Sequence, residues 1–232
     1  MKYPISLSQD LKRNPYRGNY FAFEGIDGCG KSTQVENIRK HLEKLSLKVV
    51  TTSEPMHEGK IQKVIREALY AKIKIPSRSY QDLYSADRSL NHTQIVEPSL
   101  KKGDTVLTHR SFWSAVAYGI LDLGEDYNFL NTSSILVSQG IFSYYHQFLA
   151  PGKTFYIRVS AEHAIQRIKK MDKAKDIYER VEKLAKIVTG YEQVVKEFAS
   201  EFVVIDGEKS EEEVTEEIIK NIPKQEGSQN PI

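Results

Sequence analysis

Cysteine is almost missing from this chain. Cys29 is the only one, so no disulfide can close within the chain, and that usage is expected of a reducing, cytoplasmic compartment. Long apolar runs are missing too. No stretch approaches the roughly 18 consecutive apolar residues that a membrane-spanning helix requires, so no membrane partner is expected. The opening residues, MKYPISLSQDLKRN, lack the apolar segment of a secretory leader. An excess of either charge is also lacking. The 33 basic and 31 acidic residues leave a net charge of +2, which argues against a nucleic-acid partner recruited by bulk charge. No repeat occurs. What is present, 232 residues with 40% apolar content, is enough to bury the core of one α/β domain.

One stretch stands out, Tyr20 to Thr33, YFAFEGIDGCGKST. A short apolar and aromatic run, Tyr20 to Phe23, reads as a buried strand, and a helical pattern resumes after Lys31. Between them, Gly25-x4-Gly30-Lys31-Ser32 has the spacing of a phosphate-binding loop in its proper context, strand before and helix after. A row of backbone N–H groups must point at phosphate oxygens, which needs turns that a Cβ would obstruct. The following helix adds its N-terminal N–H groups and its dipole. Lys31 offers a mobile cation for the β- and γ-phosphates, and the Ser32 hydroxyl is placed to ligate Mg²⁺. Gly25, Ile26, Asp27, Gly28, Cys29, Gly30, Lys31, Ser32 and Thr33 are therefore expected to hold a nucleoside triphosphate.

In chain order, residues 1–18 are polar, contain Pro4 and Pro15, and are expected to lie loosely on the domain as an extension. Tyr20 to Glu24 is the first strand. Val35, Ile38, Leu42 and Leu45 recur at helical spacing. Lys48 to Thr52 is a second strand, ended by Glu54-Pro55. Ile61, Val64, Ile65, Ala68 and Leu69 mark a helix. Ser79 is placed to cap a long helix from Tyr80 to Lys102, with Pro98 kinking or ending its main part. Thr105 to Thr108 is a strand, followed by helices at Ser114 to Leu121 and Thr132 to Phe148. Thr154 to Val159 is a strand and Ala161 to Lys170 a helix. A basic segment leads into a helix from Tyr178 to Ser200. Phe202 to Ile205 is the last strand and Glu211 to Ile222 the last helix. Residues 223–232 read as a flexible tail.

Strands alternating with helices predict a mainly parallel five-stranded sheet covered on both faces, a P-loop NTPase fold, in a single domain over residues 19–222. Ligands gather at the carboxyl ends of such strands. That rule selects Glu24 to Lys31, Ser53 to Met56, His109 to Ser114, and Asp206-Gly207.

The segments FEGIDGCGKST, TTSEP, LYSADRSLN and HRSFWSAVAYG, followed by a basic stretch before DIYE, stand in the order and spacing of thymidylate kinases. The chain resembles that family from about residue 18 to 222. The resemblance implies ATP with Mg²⁺ as phosphoryl donor, dTMP as acceptor, dTDP as product, and a homodimer. It implies that Asp27 faces the deoxyribose and acceptor phosphate, and that Tyr84 stacks on thymine. Arg88 would hydrogen-bond the base and Arg110 would hold the acceptor phosphate. Ser114 would be a polar pocket residue, Tyr118 would pack against the sugar, and Tyr178 would be a lid aromatic. Arg167, or a cation of a lid over about residues 168–180, would close over the moving phosphoryl group.

The residues alone leave other readings open. Tyr84 and Arg88, four apart, share a helix face, where an aromatic also serves ordinary packing. Tyr118 has apolar neighbours and could be core. The Arg167 to Lys175 run could be a solvated helix end. The chain also departs from the family pattern. His109 stands where Asp is usual, Ser53 where Arg is common, Ser111 for Tyr, Gly119 for Gln, and Ile177 for the lid arginine. An unperturbed His109 would titrate between about 6 and 7. Three functions follow: a dTMP kinase; a deoxynucleoside kinase, with Glu24 as the base that a 5′-hydroxyl acceptor needs; or a nucleotide-binding protein without transfer.

Overall fold

The computed structural model describes residues 10–70, 72–127, 147–170 and 181–223. The elements run β1 (Tyr20–Glu24), α1 (Lys31–Lys44), β2 (Val49–Ser53), α2 (Lys60–Leu69), α3 (Ser77–Asn91), α4 (Glu97–Lys102), β3 (Thr105–His109), α5 (Phe112–Tyr127), β4 (Lys153–Arg158), α6 (Ala161–Lys170), α7 (Val181–Glu197), β5 (Phe202–Asp206) and α8 (Glu211–Asn221). All strand pairings are parallel, in the order β2-β3-β1-β4-β5. β1 is therefore central, and the chain leaves it with β3 on one side and β4 on the other. That arrangement opens a crevice at its carboxyl end.

The period-two alternation of β1 feeds two cores. Tyr20 and its partner Val106 pack with Val96, Leu100 and Leu149. Phe21, Phe23 and Leu107 belong to the larger cluster with Ile38, Trp113, Phe155 and Ile187. Every residue of β1 is buried, so both faces of the sheet centre are covered, as the apolar run Tyr20 to Phe23 requires. On α1, Val35, Ile38 and Leu42 supply the buried stripe at helical spacing. No helix among the described residues is long and apolar enough to cross a membrane.

Several boundaries differ from the sequence reading. The helix expected from Tyr80 to Lys102 begins at Ser77, after Pro76, and Ser79 lies inside its first turn, its N–H bonded to Pro76 O. It passes through one π-helical turn, His92–Val96, into α4. Pro98 sits in the first turn of α4, where its missing N–H has least effect, and the wide turn absorbs what would otherwise be a break. β2 runs one residue later than expected because it pairs Val49 to Ser53 against Thr105 to His109. The helix expected over 132–148 lies outside the described residues apart from Gln147 and Phe148, which form a turn. The expected lid, 171–180, and the tail from 224 also lie outside them.

Residues 10–18 are pinned, contrary to expectation. Arg13 forms a two-pronged ion pair with Glu201 at 2.7 and 2.5 Å. Ala150 N–H donates to Lys12 O at 2.8 Å, and Leu11 packs on the core. Gly18 passes so close to α4 and the turn after it that a Cβ would meet Leu100 Cα at 2.9 Å and Asp104 O at 2.2 Å. Polar composition hid these anchors, because most are charge pairs and backbone bonds and the apolar ones, Leu11 and Tyr16, stand singly.

Candidate active site

The loop after β1 is built from backbone. Gly25 and Gly28 have φ of +138° and +82°, and Cβ atoms there would lie 2.7 Å from Ile157 O and 2.6 Å from Ala164 O. Only glycine satisfies both conditions. α1 then starts at Lys31 with no side-chain cap and no acidic residue in its first turn, leaving its N–H groups for an anion. α8 shows the contrast: Ser210 and Glu213 close a full capping box over its N-terminus. Lys31 is buried, and its Nζ donates to Gly25 O at 2.9 Å and Ile26 O at 2.8 Å. Burial, then the nearby Arg110, lower its pKa. Ser32 and Thr33 are exposed in a cleft shared with His109, Arg167, Gly207 and Lys209.

These features fit a nucleoside triphosphate with Mg²⁺. A glycine cradle, an uncapped helix end and a lysine already hydrogen-bonding oxygen atoms suit the phosphates. No group of three or more His, Cys, Asp or Glu converges on a metal position among the described residues. Magnesium commonly takes one or two protein oxygens plus phosphate and water, so the Ser32 hydroxyl with nucleotide oxygens is an adequate set.

A second cleft lies beyond Asp27, which lines both. Its wall carries Glu54 and Pro55 from the end of β2, Tyr84 and Arg88 from α3, Arg110 after β3, and Ser114 and Tyr118 from α5. Arg110 sits at the junction. Its Nη2 donates to Asp27 Oδ1 at 2.5 Å, and its Nη1 to Ser114 Oγ and Tyr191 Oη, each at 3.1 Å. Its guanidinium lies 5.2 Å from the Tyr118 ring centroid, a cation–π distance. The Arg110 φ of +73° is one that residues with a Cβ seldom adopt. It is held by Arg110 N–H on Phe23 O at 3.0 Å and the Thr108 hydroxyl on Arg110 O at 2.7 Å. Backbone held in such a conformation tends to mark functional sites. Burial alone would raise the Asp27 carboxyl, but Arg110 and Lys31 override it and hold it at about 2.

Beneath the junction Glu24 is fully buried. It accepts from Ser111 N–H and Oγ, both at 2.7 Å, from Ser114 Oγ at 2.6 Å, and from Tyr191 Oη at 2.8 Å. A carboxylate so occupied is a scaffold. It is poorly suited to take a proton from a hydroxyl acceptor.

At the far end of the cleft, the buried Arg88 donates Nε–H to Glu54 Oε2 at 2.6 Å. Burial pushes the Glu54 carboxyl up to about 7, with Arg88 opposing the rise. Met56 N–H and Gln62 Nε2 both donate to Asp87, the residue beside Arg88. The Arg88 end of α3 is thereby tied to the loop after β2.

The acceptor residues named from the sequence thus come together: Asp27, Tyr84, Arg88, Arg110, Ser114 and Tyr118 line one cleft. Tyr178 lies outside the described residues. Arg167 is fixed to the wall of the cleft at the phosphate-loop motif, Nη2 on Gly207 O at 2.8 Å and Nη1 on Cys29 O at 3.4 Å. Burial, then Lys31 and Arg110, push His109 well below the ordinary histidine value. Ser53 turns its hydroxyl to Pro55 O at 2.8 Å. Glu54 lay within the selected stretch Ser53 to Met56, though only as the end of a strand. Tyr191 escaped the sequence reading, because it sits in the apolar stripe of α7 beside Ile187 and Val194.

Comparison with known proteins agrees with this geometry. The family model described as thymidylate kinase matches residues 23–218, from β1 to the last helix. A probable thymidylate kinase of Methanocaldococcus jannaschii is 35% identical over 208 residues, which cover 88% of this chain and 97% of the relative. A thymidylate kinase of Fervidobacterium nodosum is 34% identical over 205 residues, covering 87% and 96%. One from a Sulfurihydrogenibium species is 32% identical over 192 residues, covering 82% and 89%. With a phosphate-loop motif at the sheet centre, a second cleft beside it and relatives matched along nearly their whole length, the chain belongs to the thymidylate kinase family.

Proposed function

We propose that this protein transfers the γ-phosphoryl group of ATP to the 5′-phosphate of dTMP, giving dTDP and ADP. The observation that carries it is the junction: Asp27 lines both clefts and is paired to Arg110, so two nucleotides would meet phosphate to phosphate. An oxygen of the acceptor phosphate attacks Pγ, the bond from Pγ to the bridging β-phosphate oxygen breaks, and ADP keeps that electron pair. A phosphate oxygen is already a nucleophile, so the site needs alignment and charge neutralisation and no strong base.

Lys31 leaves its loop carbonyls for the β- and γ-phosphates, and Arg110 orients the acceptor phosphate. Ser32 offers its hydroxyl to Mg²⁺, which supplies charge neutralisation between the phosphates when bound. Arg167 borders the donor nucleotide from Gly207. In the acceptor cleft Tyr84 stacks on the base, and Arg88, aimed by Glu54, donates to a carbonyl oxygen. Tyr118 and Ser114 close the sugar and phosphate side.

A coupled ADP-release assay with Mg-ATP and a panel of deoxynucleoside monophosphates tests this. dTMP is expected to be preferred over the monophosphates of deoxycytidine and deoxyguanosine. Equal rates with every monophosphate would remove the base-reading roles of Tyr84 and Arg88.

A further inference from the structure

We infer that Tyr191, on α7, is a positioning residue for acceptor-phosphate binding, acting by fixing the direction of the Arg110 guanidinium. The inference deepens the proposed function and rests on the acceptor carrying a phosphate at Arg110.

Tyr191 is fully buried. Its ring lies flat on Tyr156, centroids 5.2 Å apart and planes at 19°, and meets the Tyr118 ring edge-on at 6.3 Å. Its oxygen stands 2.8 Å from Glu24 Oε2, 3.1 Å from Arg110 Nη1 and 2.9 Å from Ser114 Oγ. Charge fixes the direction of two of these bonds: Arg110 can only donate and Glu24 here accepts, so the phenol donates its hydrogen to Glu24 and accepts one from Arg110. Burial, then Glu24, raise the phenol's pKa well above the ordinary tyrosine value, so the proton that this relay needs stays in place.

The consequence for Arg110 is geometric. Nη1 donates to Ser114 and Tyr191, and Nη2 to Asp27. Among the described residues Nε–H meets no acceptor, so it and the N–H groups not spent on these three partners remain for phosphate oxygens. Asp27 is partly exposed, at 32%, and Ser114 lines the cleft itself. The buried, ring-stacked Tyr191 is the immobile member of the set. Without its hydroxyl, Nη1 keeps one partner and the guanidinium can turn in its plane.

Phosphate-specific binding is the test. Dissociation constants for thymidine and for dTMP are measured by calorimetry on wild type, Tyr191→Phe and Tyr156→Phe, with melting temperature recorded for each. In Tyr191→Phe the advantage of dTMP over thymidine is expected to fall about tenfold, the scale of one hydrogen bond to a charged group. Thymidine affinity and KM for ATP should stay near wild type. Tyr156→Phe, which removes a hydroxyl facing Glu192, should leave the advantage unchanged. An unchanged advantage in Tyr191→Phe, or equal weakening of thymidine and dTMP, would overturn the inference. Should Tyr191→Phe melt non-cooperatively, 4-fluorophenylalanine at position 191 fills the hydroxyl's space without its proton. The same fall is expected there, and a wild-type advantage there overturns the inference equally. Wild type that binds and phosphorylates dTMP while the variants keep the advantage refutes only Tyr191. Wild type that does neither refutes the proposed function.

Discussion

The two clefts that share Asp27 are built in opposite ways. The donor cleft is made largely of backbone from one continuous stretch, Gly25 to Lys31, and its lysine is bonded to that loop's own carbonyls. The acceptor cleft is made of side chains that come from β1, β2, β3, α3, α5 and α7 and are already bonded to one another. Glu24 is occupied by Ser111, Ser114 and Tyr191, Arg110 by Asp27, and Arg88 by Glu54. The donor side must exchange partners when phosphate arrives, whereas the acceptor side is set beforehand. Preorganisation of this kind lowers the ordering cost of binding. It also makes the acceptor side sensitive to side chains remote from the nucleotide.

The donor side should break hardest. Lys31→Ala removes the cation for the transferring group, and the loop has no second one. kcat should fall on the order of 10³-fold, the upper range for deleting one preorganised electrostatic contact, and ATP binding should weaken. Single-turnover kinetics with saturating dTMP measure it. A wild-type rate would make the loop merely structural.

On the acceptor side the first consequence concerns stability. The folded-state pKa of Glu54 is raised to about 7, so the folded chain keeps a proton that the unfolded chain has released. Its contribution is full below the ordinary glutamate value and is lost as pH rises through about 7. His92, packed nearby, is lowered to about 3, by burial first and then by Arg88. Its contribution is full above the ordinary histidine value and is lost as pH falls toward 3, so the two slopes oppose one another over pH 5–6. Glu54→Gln removes only the first. Between pH 5 and 8 the variant should gain about 2–3 kcal/mol relative to wild type, at 1.36 kcal/mol per pKa unit. Denaturant unfolding at several pH values measures this. A pH-independent difference would mean that Glu54 is ionised throughout.

A smaller effect should separate the two clefts cleanly. Arg88→Ala takes away a buried hydrogen-bond donor and should raise KM for dTMP roughly tenfold, about 1.4 kcal/mol. KM for ATP should barely move, because Arg88 lines only the acceptor cleft. Steady-state kinetics varying each substrate decide it, and equal changes in both KM values would join what the structure separates.

The smallest effect belongs to His109. Held neutral by burial and by Lys31 and Arg110, it should give no titration in kcat between pH 6 and 7. His109→Asn should leave that part of the profile parallel to wild type. A step lost in the variant would show that the imidazole is protonated there.

What could be read from the sequence follows the same division. The donor loop was legible because its determinants are consecutive: strand, glycines, lysine, helix. For Tyr84 and Arg88 the spacing of four gave only a shared helix face, and their roles came from the resemblance to the family. The five strands were found almost to the residue, since each is a short apolar run between breakers. The π turn before α4 was not, because His92 to Val96 looks like ordinary helix. The anchors of residues 10–18 were missed because most are ion pairs and carbonyl contacts and the apolar ones stand singly. Tyr191 meets Glu24 across 167 residues from within an apolar stripe, and periodicity reports that such a ring is buried without saying what its hydroxyl meets.

The most direct test is to identify products by ³¹P NMR after incubating the chain with Mg-ATP and either dTMP or thymidine. Equal amounts of dTDP and ADP should form from dTMP, and thymidine should remain unphosphorylated, since Glu24 has no free oxygen with which to activate a hydroxyl. dTMP appearing from thymidine, or ADP and inorganic phosphate accumulating with no dTDP, would contradict a site built to join two phosphates at Arg110.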